Sequence, residues 1–232
     1  MRLLDRNETV VIEGERLISG EPDCGSAVVI DCWTDYTHSD DSCTHWGYCA
    51  TDRFVNGYML KQGMYFSVAG PIHLGEGGGC VVRREGYTGY NTFGGPVERT
   101  GRLRYIDGCT DSLLIGPPVI GDPCFNLLHF PPGIRQTMHT HPSLRCGTVV
   151  RGRGRAITPT GELPLEPGSC WFLETGGQHC FYTDDEEMVV IAWHPDTDTG
   201  PSHQDHPMLN KTMVDGVSAA EIDAIRTQAG LP

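Results

Sequence analysis

Apart from its last segment, this chain never sustains the 3.6-residue apolar period of a long helix. What recurs is a short strand-like run closed by a turn cluster. The runs are TVVIEG, SAVVIDCW, GCVVRRE, SLLIGP, FNLLHF, CGTVV, RAITP, CWFLE and EMVVIAW; between them stand GEGGG, GGP, GDP, PPG, PTG and EPG. The 30 glycines and 16 prolines supply this punctuation. Many short strands, each ended by residues that accept tight turns, predict an all-β sandwich or barrel. One helical signal stands near the C-terminus. Ser218 occupies an N-cap position with Glu221 three residues on, and SAAEIDAIRTQAG follows, which predicts a short C-terminal helix.

At 232 residues the chain makes one large domain or two small ones. Asp and Glu outnumber Lys and Arg by 30 to 17, a formal charge of −13. That surface repels phosphate backbones and anionic lipid, so neither nucleic acid nor a membrane is expected as a partner. The opening MRLLDRNETVVIEGE lacks the apolar core of a signal peptide, which predicts a cytoplasmic protein. The ten cysteines are scattered and form no CxxC pair, so they are read as buried thiols.

The chemistry is concentrated in three histidines. His139 and His141 are one residue apart in QTMHTHPS, and His179 follows in GGQHCF. Residues at i and i+2 of a strand face one side, so a third imidazole from a neighbouring strand closes a three-nitrogen face on one metal ion. LKQGMYFSVAGPIHL in the first half has the shape of LEPGSCWFLETGGQH in the second, matching Gly63 with Gly168 and His73 with His179. The first copy is preceded by no HxH, only by His38 and His45. Two readings stand: the first half is a metal-free copy of the second, or it is an irregular β-extension covering it. The boundaries expected are a β region over 1–96, a metal-binding barrel over 97–200, and a tail with its helix over 201–232. In that tail His203 and His206 are read as solvated.

Residues 97–200 resemble the cupin superfamily. The first cupin motif is met by Gly133, His139, His141, Cys146 where a glutamate is usual, Gly152 and Gly154. The second is met by Gly168, Glu174 in place of proline, Gly176, His179, and Thr183 in place of asparagine. The resemblance implies a double-stranded β-helix, or jelly-roll barrel, and a bicupin if the first half is a degenerate copy. It also implies a divalent ion held by His139, His141 and His179. Three protein ligands leave positions open for substrate, and imidazole suits Fe, Zn, Mn or Ni. With Cys146 at the carboxylate position the site is similar to those of three-histidine cupin dioxygenases, which favours Fe(II), O2 as co-substrate, and a small organic acid, thiol or diketone as substrate. Some cupin thiol dioxygenases link such a cysteine to a tyrosine; the later strand here carries Trp193 and His194 but no tyrosine.

Counting along the strands adds further expectations. Arg135 shares the inner face with His139 and is placed to hold a substrate carboxylate, whereas Gln136 and Arg145 are expected to point outward. Phe172, Phe181 and Trp193 are the expected pocket walls. Cys146 and His194 join Arg135 as candidate catalytic residues, His194 as a proton shuttle. Two other functions remain open: a lyase or isomerase using Zn, Mn or Ni as Lewis acid, and a non-enzymatic small-molecule-binding protein. A homodimer is the expected assembly.

Overall fold

A computed structural model describes residues 1–5, 9–13, 27–33, 36–75, 79–117, 121–195 and 207–225. The runs noted in the sequence are all strands. In chain order the strands that position the site are β1 (Arg2–Leu4), β2 (Thr9–Glu13), β3 (Ala27–Trp33), β4 (Tyr36–His38), β5 (Cys43–Tyr48), β6 (Arg53–Val55), β7 (Tyr58–Leu60), β8 (Tyr65–Ala69), β9 (Ile72–Leu74), β10 (Gly79–Glu85) and β11 (Thr92–Gly94). They continue with β12 (Leu103–Arg104), β13 (Thr110–Ile115), β14 (Cys124–Phe130), β15 (Arg145–Gly152), β16 (Gly154–Thr158), β17 (Gly161–Leu165), β18 (Cys170–Leu173), β19 (Cys180–Tyr182) and β20 (Met188–His194).

These strands form two double-layered units with one strand order. The first has a large sheet β11-β8-β5-β10-β3-β2 and a small sheet β4-β9-β6-β7. The second has a large sheet β1-β18-β15-β20-β14-β13-β12 and a small sheet β17-β16-β19. The free edge of that small sheet is continued by single bridges, Arg135 to Tyr182 and His139 to His179. Strand for strand, β8, β5, β10 and β3 correspond to β18, β15, β20 and β14. The first five residues depart from the expected boundary, because β1 pairs with β18 of the second unit.

The register fixes the correspondence to the residue. Gly47 lies opposite Phe66 and Val81, and Gly147 lies opposite Trp171 and Ala192. Phe66 and Trp171 each stand three residues beyond the matched glycines, Gly63 and Gly168. Carried forward, the same register aligns His179 with Leu74 and not with His73. Leu74 is buried, while His73 is exposed and bonds Thr37 Oγ1 at 2.8 Å.

Three cores follow. One fills the first unit, with Val55, Phe66, Ile72, Leu74 and Val81. Another fills the second, with Phe130, Val149, Trp171, Phe181, Met188 and Val190. The third lies where the two large sheets face each other and includes Trp46, Val82, Cys146, Phe172 and Trp193. There the Trp46 and Trp193 rings pack with centroids 5.4 Å apart. Each such fully buried side chain contributes roughly 1.5–3 kcal/mol.

The C-terminal region differs from expectation. Ser218 does cap, its Oγ accepting from the Ala220 N–H at 3.2 Å, but only one 3-10 turn follows, over Ala219–Glu221. Residues 226–232 lie outside those described. The α-helix is a single turn or so, α1 (Pro207–Lys211), within the stretch read as polar tail. His203 and His206 also lie outside the described residues. Eight of the cysteines, Cys146 among them, are buried and stand outside any disulfide. No described helix is long and apolar enough to cross a membrane.

Candidate metal centre

His139 and His179 form a reciprocal backbone pair: each N–H donates to the other's carbonyl, at 2.9 and 3.0 Å. Their side chains therefore leave the sheet on one side. His141, two residues on, leaves on that side too, and its carbonyl accepts from the Gly176 N–H at 2.9 Å. The three ring centroids lie 4.4–5.1 Å apart. One ring nitrogen from each falls within 4.8 Å of the others.

The donor set fits a metal ion. His139 Nδ1 lies 2.8 Å from the Thr137 carbonyl, and His179 Nδ1 lies 3.1 Å from the Gly177 carbonyl. A carbonyl only accepts, so both Nδ1 atoms carry the proton and both Nε2 lone pairs are free to ligate. Burial pulls His141 down to about 3, helped by Arg145 and the other imidazoles, and pulls His179 down to about 4. Neutral imidazole is the form that binds metal.

The cavity in front of the three rings has a volume of about 270 Å³. It lies between the two sheets of the second barrel. Arg145, Trp171, Ala192, His194, Asn126 and Asp111 reach it from the large sheet, with Gln136, Phe181 and Tyr105 at its sides. Arg145 is anchored at Nη1 by the Ser143 hydroxyl at 2.7 Å. His194 Nε2 lies 3.2 Å from Asn126 Nδ2. The Trp171 indole N–H is buried with no hydrogen-bond partner. Burial raises the Asp111 carboxyl and the Tyr105 phenol above their usual ranges.

The structure brings together His139, His141, His179, His194 and Phe181 and places four other sequence candidates elsewhere. Cys146 faces the core between the large sheets, beside Trp46 and Trp193, with its back to the cavity. Phe172 and Trp193 share that outer face, and Trp171 and Ala192 are the walls instead. Arg135 is half exposed, paired with Asp184 at 2.6 Å and stacked over Tyr182. Gln136 is the buried neighbour that points in, its Oε1 accepting from the Phe181 N–H at 3.2 Å.

Two local features cause these inversions. Between the bridges at Arg135–Tyr182 and His139–His179 one edge advances four residues and the other three. That extra residue is a bulge, and it swaps the faces of Arg135 and Gln136. Between His141 and β15 the chain bends at Pro142-Ser143, so alternation cannot be carried from the HxH into the strand. Within β15 the odd positions, Arg145 and Val149, face the barrel interior, and Cys146 and Val150 face away. The residue at the place of the motif's glutamate is therefore Arg145, separated from the HxH by three residues. A three-residue spacing was available in the sequence as the signal. Tyr105 and Asp111 carried no such signal; tertiary packing brings them in.

Residues 126–195 match the model of a family described as Cupin domain. Similar solved structures include a cupin 2 conserved barrel domain protein from Leptotrichia buccalis, 12% identical with a TM-score of 0.52, covering 83% of this chain and 91% of that one. Protein Ylba from E. coli is 13% identical with a TM-score of 0.52, covering 86% and 95%. Salicylate 1,2-dioxygenase from Pseudoaminobacter salicylatoxidans is 9% identical with a TM-score of 0.52, covering 73% and 68%. No curated protein matches the sequence. Residues 126–195 thus match a cupin domain, and the chain has an all-β fold shared with solved cupin barrel structures, with a candidate three-histidine metal site.

Proposed function

We propose that the second barrel is a metal-dependent enzyme acting on a small organic acid, with Fe(II) as its ion and O2 as co-substrate. The observation that carries this reading is the meeting, in one cavity, of three inward-facing imidazoles with Arg145. None of the three ligands is a carboxylate able to neutralise a dication, burial favours the neutral form of Asp111, the carboxyl that lines the cavity, and Arg145 adds a further positive charge. The missing negative charge is then supplied by the substrate, whose carboxylate pairs with the guanidinium. This narrows the organic acid, thiol or diketone of the sequence reading to the acid.

Bound iron supplies the centre at which an electron-rich substrate and O2 react. The chain's own residues do the rest. Arg145 orients the acid, and the unpartnered Trp171 N–H offers a second donor. Leu128, Phe130 and Phe181 exclude water, and His194, steadied by Asn126, moves a proton at the cavity wall. A barrel of this kind in Pseudoaminobacter salicylatoxidans is a dioxygenase of salicylate, itself a small hydroxy acid. A second reading draws on Tyr105, Asp111 and His194 together: three proton-transfer groups around one cavity suit a lyase or isomerase with Zn, Mn or Ni as Lewis acid.

Metal analysis of protein purified without added metal, followed by O2 uptake on a panel of hydroxy acids, oxo acids, thiols and diketones, separates the two. Iron with acid-dependent O2 consumption, abolished by His139→Ala, is the expected result. Turnover with O2 excluded supports the second reading. No bound metal, no turnover and unchanged ligand binding in His139→Ala would overturn both.

A further inference from the structure

The first barrel holds a second cluster of metal-ligating side chains: His38 on β4 with Cys43 and His45 on β5. Cys43 and His45 are two residues apart on one strand and so share a face. His38 reaches the same point from the facing small sheet, its ring centroid 5.3 Å from that of His45. One donor atom from each lies within 4.8 Å of the others. Cys43 and His45 are fully buried.

The position within the fold is not arbitrary. In the shared register Tyr36 pairs with Leu74 as His139 pairs with His179, so His38 stands where His141 stands in the second barrel. His45 precedes Gly47 by two residues, as Arg145 precedes Gly147. The second barrel puts a cation where the first puts an imidazole. The cluster thus occupies the counterpart of the second barrel's centre, built from a different donor set, in a half whose sequence reads as metal-free.

The orientation of the donors suits a ligand. His45 Nδ1 faces the Val68 carbonyl at 3.3 Å, so it carries the proton and turns Nε2 toward Cys43. Nε2 and the Cys43 sulfur are 3.8 Å apart. Tetrahedral zinc with Zn–S near 2.3 Å and Zn–N near 2.05 Å requires about 3.6 Å between those atoms. Arg83, the cross-strand neighbour of His45, lies on the same face and is engaged by an ion pair to Glu85 at 2.8 Å and a bond to the Tyr36 hydroxyl at 3.0 Å. The ordinary alternative is a thiol that merely donates weakly to His45.

We propose that His38, Cys43 and His45 bind a borderline-soft divalent ion, zinc above all, with a fourth position left for water. Thiolate with imidazole selects such ions over the hard cations. Binding releases the Cys43 thiol proton to solvent.

The test uses the full chain, stripped of metal and reloaded with zinc or cobalt(II). The expected zinc content is two per chain for the wild type and one for Cys43→Ser. Cobalt is expected to give a near-ultraviolet thiolate-to-metal band that Cys43→Ser loses, a band that three imidazoles cannot produce. The wild-type spectrum keeps the test decisive even if the variant folds badly. A zinc content of one with the thiolate band present supports this site and removes the second-barrel one. Absence of the band in the wild type, or its persistence in Cys43→Ser, overturns the proposal.

Discussion

The register that aligns Gly47 with Gly147 makes a quantitative forecast for Gly→Ala at the two positions. Neither glycine has the positive φ that would itself demand glycine; what each has is a close neighbour. A Cβ on Gly147 would lie 1.8 Å from the Ile191 carbonyl oxygen and 2.8 Å from its carbon, both backbone atoms of β20. An ordinary carbon–oxygen contact is about 3.2 Å, so β15 and β20 would have to part by more than an ångström in the middle of the large sheet. Strands spaced about 4.8 Å apart cannot part so far and keep their ladder. Losing one or two buried backbone bonds costs about 1–3 kcal/mol each, and overpacking adds a similar amount. Gly147→Ala is therefore expected to destabilise by ~3–5 kcal/mol. A Cβ on Gly47 would lie 2.4 Å from the Phe66 ring tip, a side chain that can tilt. Gly47→Ala is expected to cost ~1–3 kcal/mol, and Gly75→Ala, with nothing within 4 Å, a few tenths. Urea denaturation of the three variants at one pH measures this directly. A loss at Gly147 no larger than at Gly47 would refute the argument that backbone approach, not side-chain packing, requires the glycine.

Other consequences concern the site. Arg145→Ala should weaken binding of a carboxylate substrate about 10–100-fold with metal content unchanged, whereas Arg135→Ala should change it less than about twofold. Calorimetric titration decides, and a larger loss at Arg135 would return the anion site to the barrel edge. Cys146→Ser should leave kcat/KM within about twofold while costing about 1–3 kcal/mol of stability, because a hydroxyl replaces a thiol in the core between the sheets. A large fall in kcat at normal stability would show that Cys146 acts in the chemistry. In the metal-stripped protein His45, His141 and His179 are held neutral at about 4, 3 and 4, against an ordinary 6.5. The unfolded chain then binds more protons, so stability is complete above about pH 6.5 and falls as pH drops toward 4. The loss is about 2 kcal/mol per histidine at pH 5. A urea midpoint equal at pH 7 and pH 5 would contradict this.

The barrel was legible because its signals are local. Each strand run ends in its own turn residues, and the period of two survives within β14, β18 and β20, so these follow from the sequence directly. The three histidines were legible for the same reason: His139 and His141 need only one stretch of period two, and His179 only a neighbouring strand. What failed was parity carried across an interruption. The bulge between Arg135 and His139 adds one residue to one edge, and the bend at Pro142-Ser143 resets the count before β15. One residue of slip exchanges every inward and outward assignment beyond it. It put Arg145 in the cavity where Arg135 had been expected, so that the proposed anion-binding role falls to Arg145, and it put Arg145 and not Cys146 at the place of the motif's glutamate. Phe172 and Trp193, taken as walls for being hydrophobic, lie on the opposite face of their strands, and Trp171 and Ala192 line the cavity instead. The repeat suffered a slip too: aligning His73 with His179 set an exposed histidine against a buried one, and the strand pairing corrects the match to Leu74. With that match the first half no longer lacks a centre by inspection, because its imidazoles sit at His38 and His45, off the motif spacing, where only three-dimensional register can find them.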